Sequence, residues 1–423
     1  MLAVAVSSSG VRADGPAAPP ASPAPDAPTF ATSKLTGNWW GARDTLASKG
    51  VELDVSLTQF YQGVTRGGID TGFDYGGKLD SYLRFDGSKA GLVPGLSITA
   101  HLETRYGQDI NNDDGMLAFG NFNMAFPTAN ESATGLTALK LTQTFGDHFM
   151  LIAGKINTLD DFRLNFTGFN GLERFMNSAM VANIINARTI PYSTYGGGFS
   201  VFSNEGPQFL FLARDPDNHP TTADLDKLFA RGVVLSASLR MPVTPMGLRG
   251  TQVIGGNWSS RDYTSLEPTA WTNPPGQGTP APQESGSWAL YYNFDQYLWI
   301  SSSNADRNVG IFGMFGLSDG NPNFVRWNAT VGVGGSGLIP GRKYDTCGLG
   351  YFYLGLSEQF KDLLAGPTAP PGVAQRDEQG VELYYNVAIA PWCHLTADLQ
   401  VVEPSTRATD MTVLAGARLK IDF

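Results

Sequence analysis

Chemistry needs reactive side chains brought together, so the histidines, cysteines and paired acids of this chain are weighed first. The four histidines, His101, His148, His219 and His394, show no i, i+4 or other ligand spacing, and neither a Gly-x-Ser-x-Gly elbow nor a phosphate-binding glycine loop is present. The two cysteines, Cys347 and Cys393, fit no metal or redox spacing and leave both the thiol and the bridged state open. Asp113-Asp114 and Asp160-Asp161 have the residue type of glycosidase carboxylates, but neighbours on a strand point to opposite faces. No catalytic residue, metal or cofactor is expected, and the chain reads as a non-enzyme. What remains is a set of charges recurring among apolar residues: Asp80, Arg84, Glu103, Arg105, Lys155, Asp161 and Arg163. Such groups suit a polar lumen, which selects solutes by size, hydrogen bonding and charge without reacting with them.

The elements that must carry these charges follow from composition and period. The chain has 423 residues, 16% charged and 11% aromatic, with 50 glycines, a mix too rich in rings and too poor in charge to stay disordered. Mean hydropathy is -0.13 and no apolar run reaches the roughly 18 to 20 residues of a membrane helix, so any membrane crossing is made by strands. With 39 acidic and 29 basic residues, the net charge of -10 gives nucleic acid no electrostatic footprint. At the N-terminus, residues 1–14 resemble the tail of a secretory signal, and the Pro/Ala-rich tract within 15–34 reads as a flexible spacer.

From Val51 onward apolar and polar residues alternate strictly: Val51, Leu53, Val55 and Leu57 on one face, Glu52, Asp54, Ser56 and Thr58 on the other. The period recurs with Leu79, Leu83 and Phe85 against Lys78, Asp80, Arg84 and Asp86, and with Ile98, Ala100 and Leu102 against His101, Glu103 and Arg105. About sixteen strands are expected, near 51–62, 77–87, 96–106, 136–146, 149–156, 194–203, 208–214, 231–241, 250–260, 286–303, 308–318, 326–334, 346–357, 380–390, 394–402 and 411–423. The long segment 286–303 leaves room for a hidden hairpin at Asn293 to Asp295. Alternation alone fits a soluble sandwich as well as a membrane barrel; the links decide. Long links (63–76, 107–135, 157–193, 215–230, 261–285 and 358–379) follow odd strands and tight turns mostly follow even ones. The expected fold is therefore all-β: a transmembrane antiparallel up-and-down β-barrel with short periplasmic turns, long extracellular loops and both termini on the periplasmic side. Aromatics at strand ends (Tyr61, Tyr75, Tyr106, Phe145, Phe149, Trp258, Trp392, Phe423) suit the headgroup level of a membrane. Within 157–193, the spacing of Leu172, Phe175, Met176, Ala179, Met180 and Ile184 predicts a helix-like apolar segment over Gly171–Ala187 that folds inward as a constriction, with a helical cap on the outer rim as the alternative.

Four stretches resemble one family, the carbohydrate-selective porins of Gram-negative bacteria, the OprB type. They are Leu35–Gly50 (LTGNWWGARDTLASKG), Gly154–Phe162 (GKINTLDDF), Gly337–Gly348 (GLIPGRKYDTCG), and Glu382–Pro404 with Tyr385, Asp398, Gln400 and Pro404. Trp40 departs from the pattern, which has Gly there. The resemblance implies an N-terminal periplasmic helical segment at 35–50, a barrel over 51–423, and passive diffusion of small saccharides or polyols through the lumen. It also implies outer-membrane localisation among lipid and lipopolysaccharide, recognition of Phe423 by the barrel-assembly machinery, and a monomer or homotrimer. Arg84, Glu103, Arg105 and Lys155 would then project inward opposite the constriction, where Arg and carboxylates bond hydroxyls and rings stack on a pyranose face. Competing readings are a general small-solute porin, a carbohydrate-binding β protein and a glycoside hydrolase.

Overall fold

The computed structural model describes residues 33–129, 131–203, 206–271, 280–367 and 369–423. The signal-like residues 1–14 and most of the 15–34 spacer lie outside these. Sixteen strands form one closed antiparallel ladder in chain order, with the last paired to the first. They are β1 (Val51–Arg66), β2 (Gly72–Asp86), β3 (Leu96–Gly107), β4 (Ala133–Phe145), β5 (Phe149–Asn157), β6 (Ser193–Phe202), β7 (Gln208–Arg214), β8 (Val234–Val243), β9 (Gly250–Thr264), β10 (Gln283–Ile300), β11 (Asn308–Ser318), β12 (Val325–Ser336), β13 (Thr346–Leu356), β14 (Glu378–Ala390), β15 (Cys393–Glu403) and β16 (Thr412–Asp422). Closure leaves no strand edge with unpaired amides, the condition for strands to cross a hydrocarbon layer.

The alternation is realised residue by residue. On β1, β3 and β4 the outward Leu53, Leu102, Leu136, Leu139 and Leu141 are exposed, whereas Thr58, Gln62, His101 and Glu103 are buried inside the barrel. Exposed apolar residues on one face of every wall are what lipid covers. Rings gather toward the long-loop end (Tyr61, Tyr75, Trp258, Trp288, Trp327, Tyr351) and at the short-turn end (Phe145, Phe149, Trp299), all exposed. The segment 286–303 hides no hairpin: β10 runs unbroken from Gln283 to Ile300, with a register shift between Ser285 and Ser287 against β9 and another between Tyr297 and Trp299 against β11.

The N-terminal segment caps the short-turn end. A turn at Trp39–Gly41 leads into helix α1 (Ala42–Ser48), and the Leu35 amide donates to Asp422 O at 2.8 Å, hooking the segment onto the last strand. Arg43 stacks its guanidinium 4.1 Å from the Trp39 ring and donates to Leu53 O on β1. Trp40 has φ 55°, the left-handed region that glycine enters freely, which accounts for Gly in the family pattern.

Two long links do not stay on the rim. Loop 158–192 runs through the barrel, and its Phe166, Phe175, Met180 and Ile185 are fully buried with Phe312, Phe352 and Tyr384 of the wall. The helix-like segment expected over Gly171–Ala187 forms only in part: helix α2 spans Ser178–Val181, and a single 3-10 turn follows at Ile184–Asn186. The wall takes the amides that a longer helix would have used. Met176 N and Asn177 N both donate to the Glu382 carboxylate on β14, and Ser178 N donates to Phe119 O at 2.9 Å. Loop 108–132, expected as an outward link, also turns inward: Phe122 N donates to Met176 O at 2.8 Å, and Gln62 and Gln400 both donate to Gly120 O.

Candidate functional site

The lumen is divided by what loop 158–192 leaves free. On one side its contacts lie on β9 to β16: Asn186 and Thr189 bond Asn257 on β9, and Asn183 donates to Asn293 on β10 at 2.8 Å. Thr330 on β12 donates to Ala179 O at 2.9 Å, Asn177 bonds Gln400 on β15 at 3.1 Å, and Arg418 on β16 donates to Gly171 O and Arg174 O. Glycines on the wall make room for the loop. A Cβ on Gly350 would lie 2.6 Å from Met180 Sδ, and one on Gly348 2.9 Å from Phe175 Cζ. On the other side the loop meets polar side chains of β2 to β4.

There the strand register stacks charges in rungs: Lys78 opposite Arg105, Asp80 opposite Glu103, Tyr82 opposite His101. Like charges facing each other across a rung are unfavourable, and diagonal pairing relieves them. Lys78 forms an ion pair with Glu103 and lies 3.7 Å from Asp80; His101 Nε2 lies 3.1 Å from Asp80, and its Nδ1 lies 3.0 Å from Asp160 of the loop. Asp80, His101 and Glu103 bring donor atoms within 4.8 Å of one another, a spacing that would suit a cation. The Lys78 ammonium already pairs with both carboxylates, so the set fits an internal ion network better than a metal site.

Glu103 also roots the loop. Asn157 at its start donates to Glu103 Oε2 at 3.1 Å, and Tyr192 at its end donates its phenol to the same oxygen. Burial and the Glu103 charge push the Tyr192 phenol well above its ordinary value, so it stays a donor.

The sequence-derived residues therefore separate. Asp80, Glu103 and Arg105 point inward but are each no more than 2% exposed. Arg105 is consumed by loop 108–132: it pairs with Asp109 and donates to Met124 O at 2.7 Å and Glu131 O at 2.8 Å. Lys155 is buried against the next loop, donating to Thr222 O at 2.9 Å with Tyr195 beneath it. Arg84, Asp161 and Arg163 keep partial exposure. Arg84 pairs with Asp54 across from Tyr82, Asp161 with Lys140 at 2.6 Å, and Arg163 with Glu173 at 2.7 Å. Tyr82 donates to Asp160 at 3.0 Å, so ring and ion pairs form one polar surface on the free side of the loop. Sequence reasoning missed Asp54, Tyr82, Lys140 and Glu173 as site residues; the inward phase of Asp54 and Lys140 was readable by alternation, but their loop and cross-strand partners were not.

The cysteines are free thiols. Cys347 lies opposite Tyr385, which lies opposite Ala397, so Cys393 is two strands away and four residues out of register. No bridge spans that gap.

Known proteins place this geometry. A family profile described as "Carbohydrate-selective porin, OprB family" matches residues 70–423. Among solved structures, the high-pH form of Pseudomonas putida OprB superposes with a TM-score of 0.80 at 18% identity, covering 94% of this chain and 100% of that one. Its low-pH form gives 0.58 at 15% identity, covering 93% and 99%. OmpT, an outer-membrane protein of Vibrio cholerae solved in a trimer form, gives 0.50 at 12% identity, covering 88% and 99%. No curated protein sequence gives a match. At these identities the structures speak for the fold, a sixteen-stranded porin barrel of the outer membrane, and the profile speaks for the family: the chain belongs to the carbohydrate-selective porins of the OprB family.

Proposed function

We propose that this porin passes small neutral saccharides or polyols down their concentration gradient, through a passage between loop 158–192 and the polar face of β1 to β5. The carrying observation is the asymmetry of the lumen: apolar loop residues fill the side toward β9–β16, while partly exposed Arg84, Asp54, Tyr82, Lys140, Asp161, Arg163 and Glu173 line the other. Paired charges of both signs offer donors and acceptors to hydroxyls with little net field, which favours neutral polyols over strongly charged solutes. Conduction requires release as well as entry, so half-saturation falls in roughly the millimolar range. No step needs a reactive group, and the chain acts as a channel, not an enzyme.

At the seam of the barrel Phe423 N donates to Val55 O at 2.8 Å, tying the end of the last strand to the first. The functional reading is tested by single-channel recording of the R84A/D161A double variant. Open conductance should rise and block of ion current by glucose should weaken. If both stay at the wild-type level in a folded barrel, the selective surface lies elsewhere.

A further inference from the structure

A cavity of about 420 Å³ opens above the narrow passage, between loops 108–132, 158–192 and 215–233. That size suits a small-molecule site. Much of its lining is apolar, and three of its rings form one wall: Phe126 stacks on Tyr192 with centroids 4.1 Å apart and meets Phe122 edge-on at 5.2 Å. An apolar wall of rings accepts the C–H face of a pyranose.

The polar part of the lining is incomplete. Ser178 Oγ, Asn183 Oδ1 and Arg188 Nε are buried atoms without a hydrogen-bond partner, and all three residues line this one cavity. Buried polar atoms are normally satisfied, so a hydroxyl, an acceptor and a cationic donor orphaned in one place point to a ligand with complementary groups. Charge narrows its chemistry. Among the described residues, two arginines, Arg188 and Arg261, line the cavity and no carboxylate does. Arg261 has Asp217 at 3.2 Å, an acid it shares with Arg231. Arg188 lies 5.0 Å over the Tyr263 ring and forms no ion pair among the described residues.

We propose that this cavity is a docking site for a monosaccharide bearing a carboxylate, a hexuronate or aldonate. Its ring face lies on Phe126 and Tyr192, its hydroxyls meet Ser178 and Asn183, and its carboxylate meets Arg188. The inference rests on the saccharide-porin reading and extends it to an acidic solute gathered before the passage.

The test is block of ion current through the reconstituted wild-type barrel by D-glucuronate and by D-glucose, repeated with R188Q and R188K. Wild type should give a lower half-saturation for glucuronate than for glucose. R188Q should raise the glucuronate-to-glucose ratio about tenfold, the loss of one charge-assisted contact, and R188K should restore part of it. Heat-modifiable migration of each variant on a gel confirms the folded barrel. Equal half-saturation in wild type, or a ratio unmoved in folded R188Q, overturns the inference. If glucose enters and blocks but glucuronate shows no dependence on residue 188, only the acidic-ligand site fails. If glucose neither enters nor blocks while glucuronate binds through Arg188, the docking site stands and the neutral-saccharide reading fails.

Discussion

Asp345 shows how one residue explains a short motif. In the stretch 337–348 its carboxylate takes both Arg342 nitrogens at 2.8 Å, the Tyr385 hydroxyl at 2.6 Å and the Ala388 amide at 3.0 Å. Burial alone would raise this carboxyl; the bonds from Arg342, Tyr385 and Ala388 outweigh it and hold the group below the ordinary carboxylate value. A depressed carboxyl stabilises the fold above its unfolded value, about pH 4, and loses that contribution as pH falls through the lower folded value. D345N should therefore lower the melting temperature at pH 7, by a loss of about 1–3 kcal/mol, and the difference from wild type should shrink as the pH falls below about 4. Equal melting at pH 7 would contradict this. The Arg342–Asp345 spacing was readable in the sequence, but the Tyr385 partner was not, because it arrives by the pairing of β13 with β14. Arg105 and Glu103 mark the same limit: alternation gave their inward phase correctly, whereas the loop backbones that bury them come from distant segments.

Strands follow from period two, a local property, and so their number and phase were legible; the inner loops obey no period. The apolar content of 171–187 was enough to predict burial, but not conformation, since Glu382 on β14 takes the amides that would continue a helix. Loop 108–132 was missed as an inner element because Met116, Phe122 and Met124 sit in an irregular run between polar residues. Replacing Glu382 by Ala should leave two buried amides unsatisfied and loosen the loop, with larger and noisier open-channel current while the closed ladder keeps the barrel folded. Wild-type current from a folded E382A barrel would show that this carboxylate does not set the loop. The long links also define a side. In a C347S/C393S background, T269C should react with an impermeant maleimide on intact cells and A305C only after permeabilisation; the reverse would invert the barrel.

At the scale of the whole molecule, the barrel's walls and its plug answer to different constraints. The wall presents apolar residues to lipid along its outer face and closes on itself, which fixes its architecture with little regard to solute. The solute sees what two inward loops leave uncovered, a surface of paired charges beside a tyrosine. The sequence showed the first constraint from end to end of the chain. Of the second it named Arg84 on a strand and Asp161 and Arg163 on the loop, but not the Lys140 and Glu173 that pair with the last two, because alternation does not describe the loop path that brings them together. Swelling of proteoliposomes in a graded series of neutral sugars, from pentose to trisaccharide, tests the central claim most directly. The account predicts rapid entry of mono- and smaller saccharides, a steep fall by the trisaccharide, and relief of that fall in E382A; swelling that is absent for every sugar, or independent of sugar size, would contradict it.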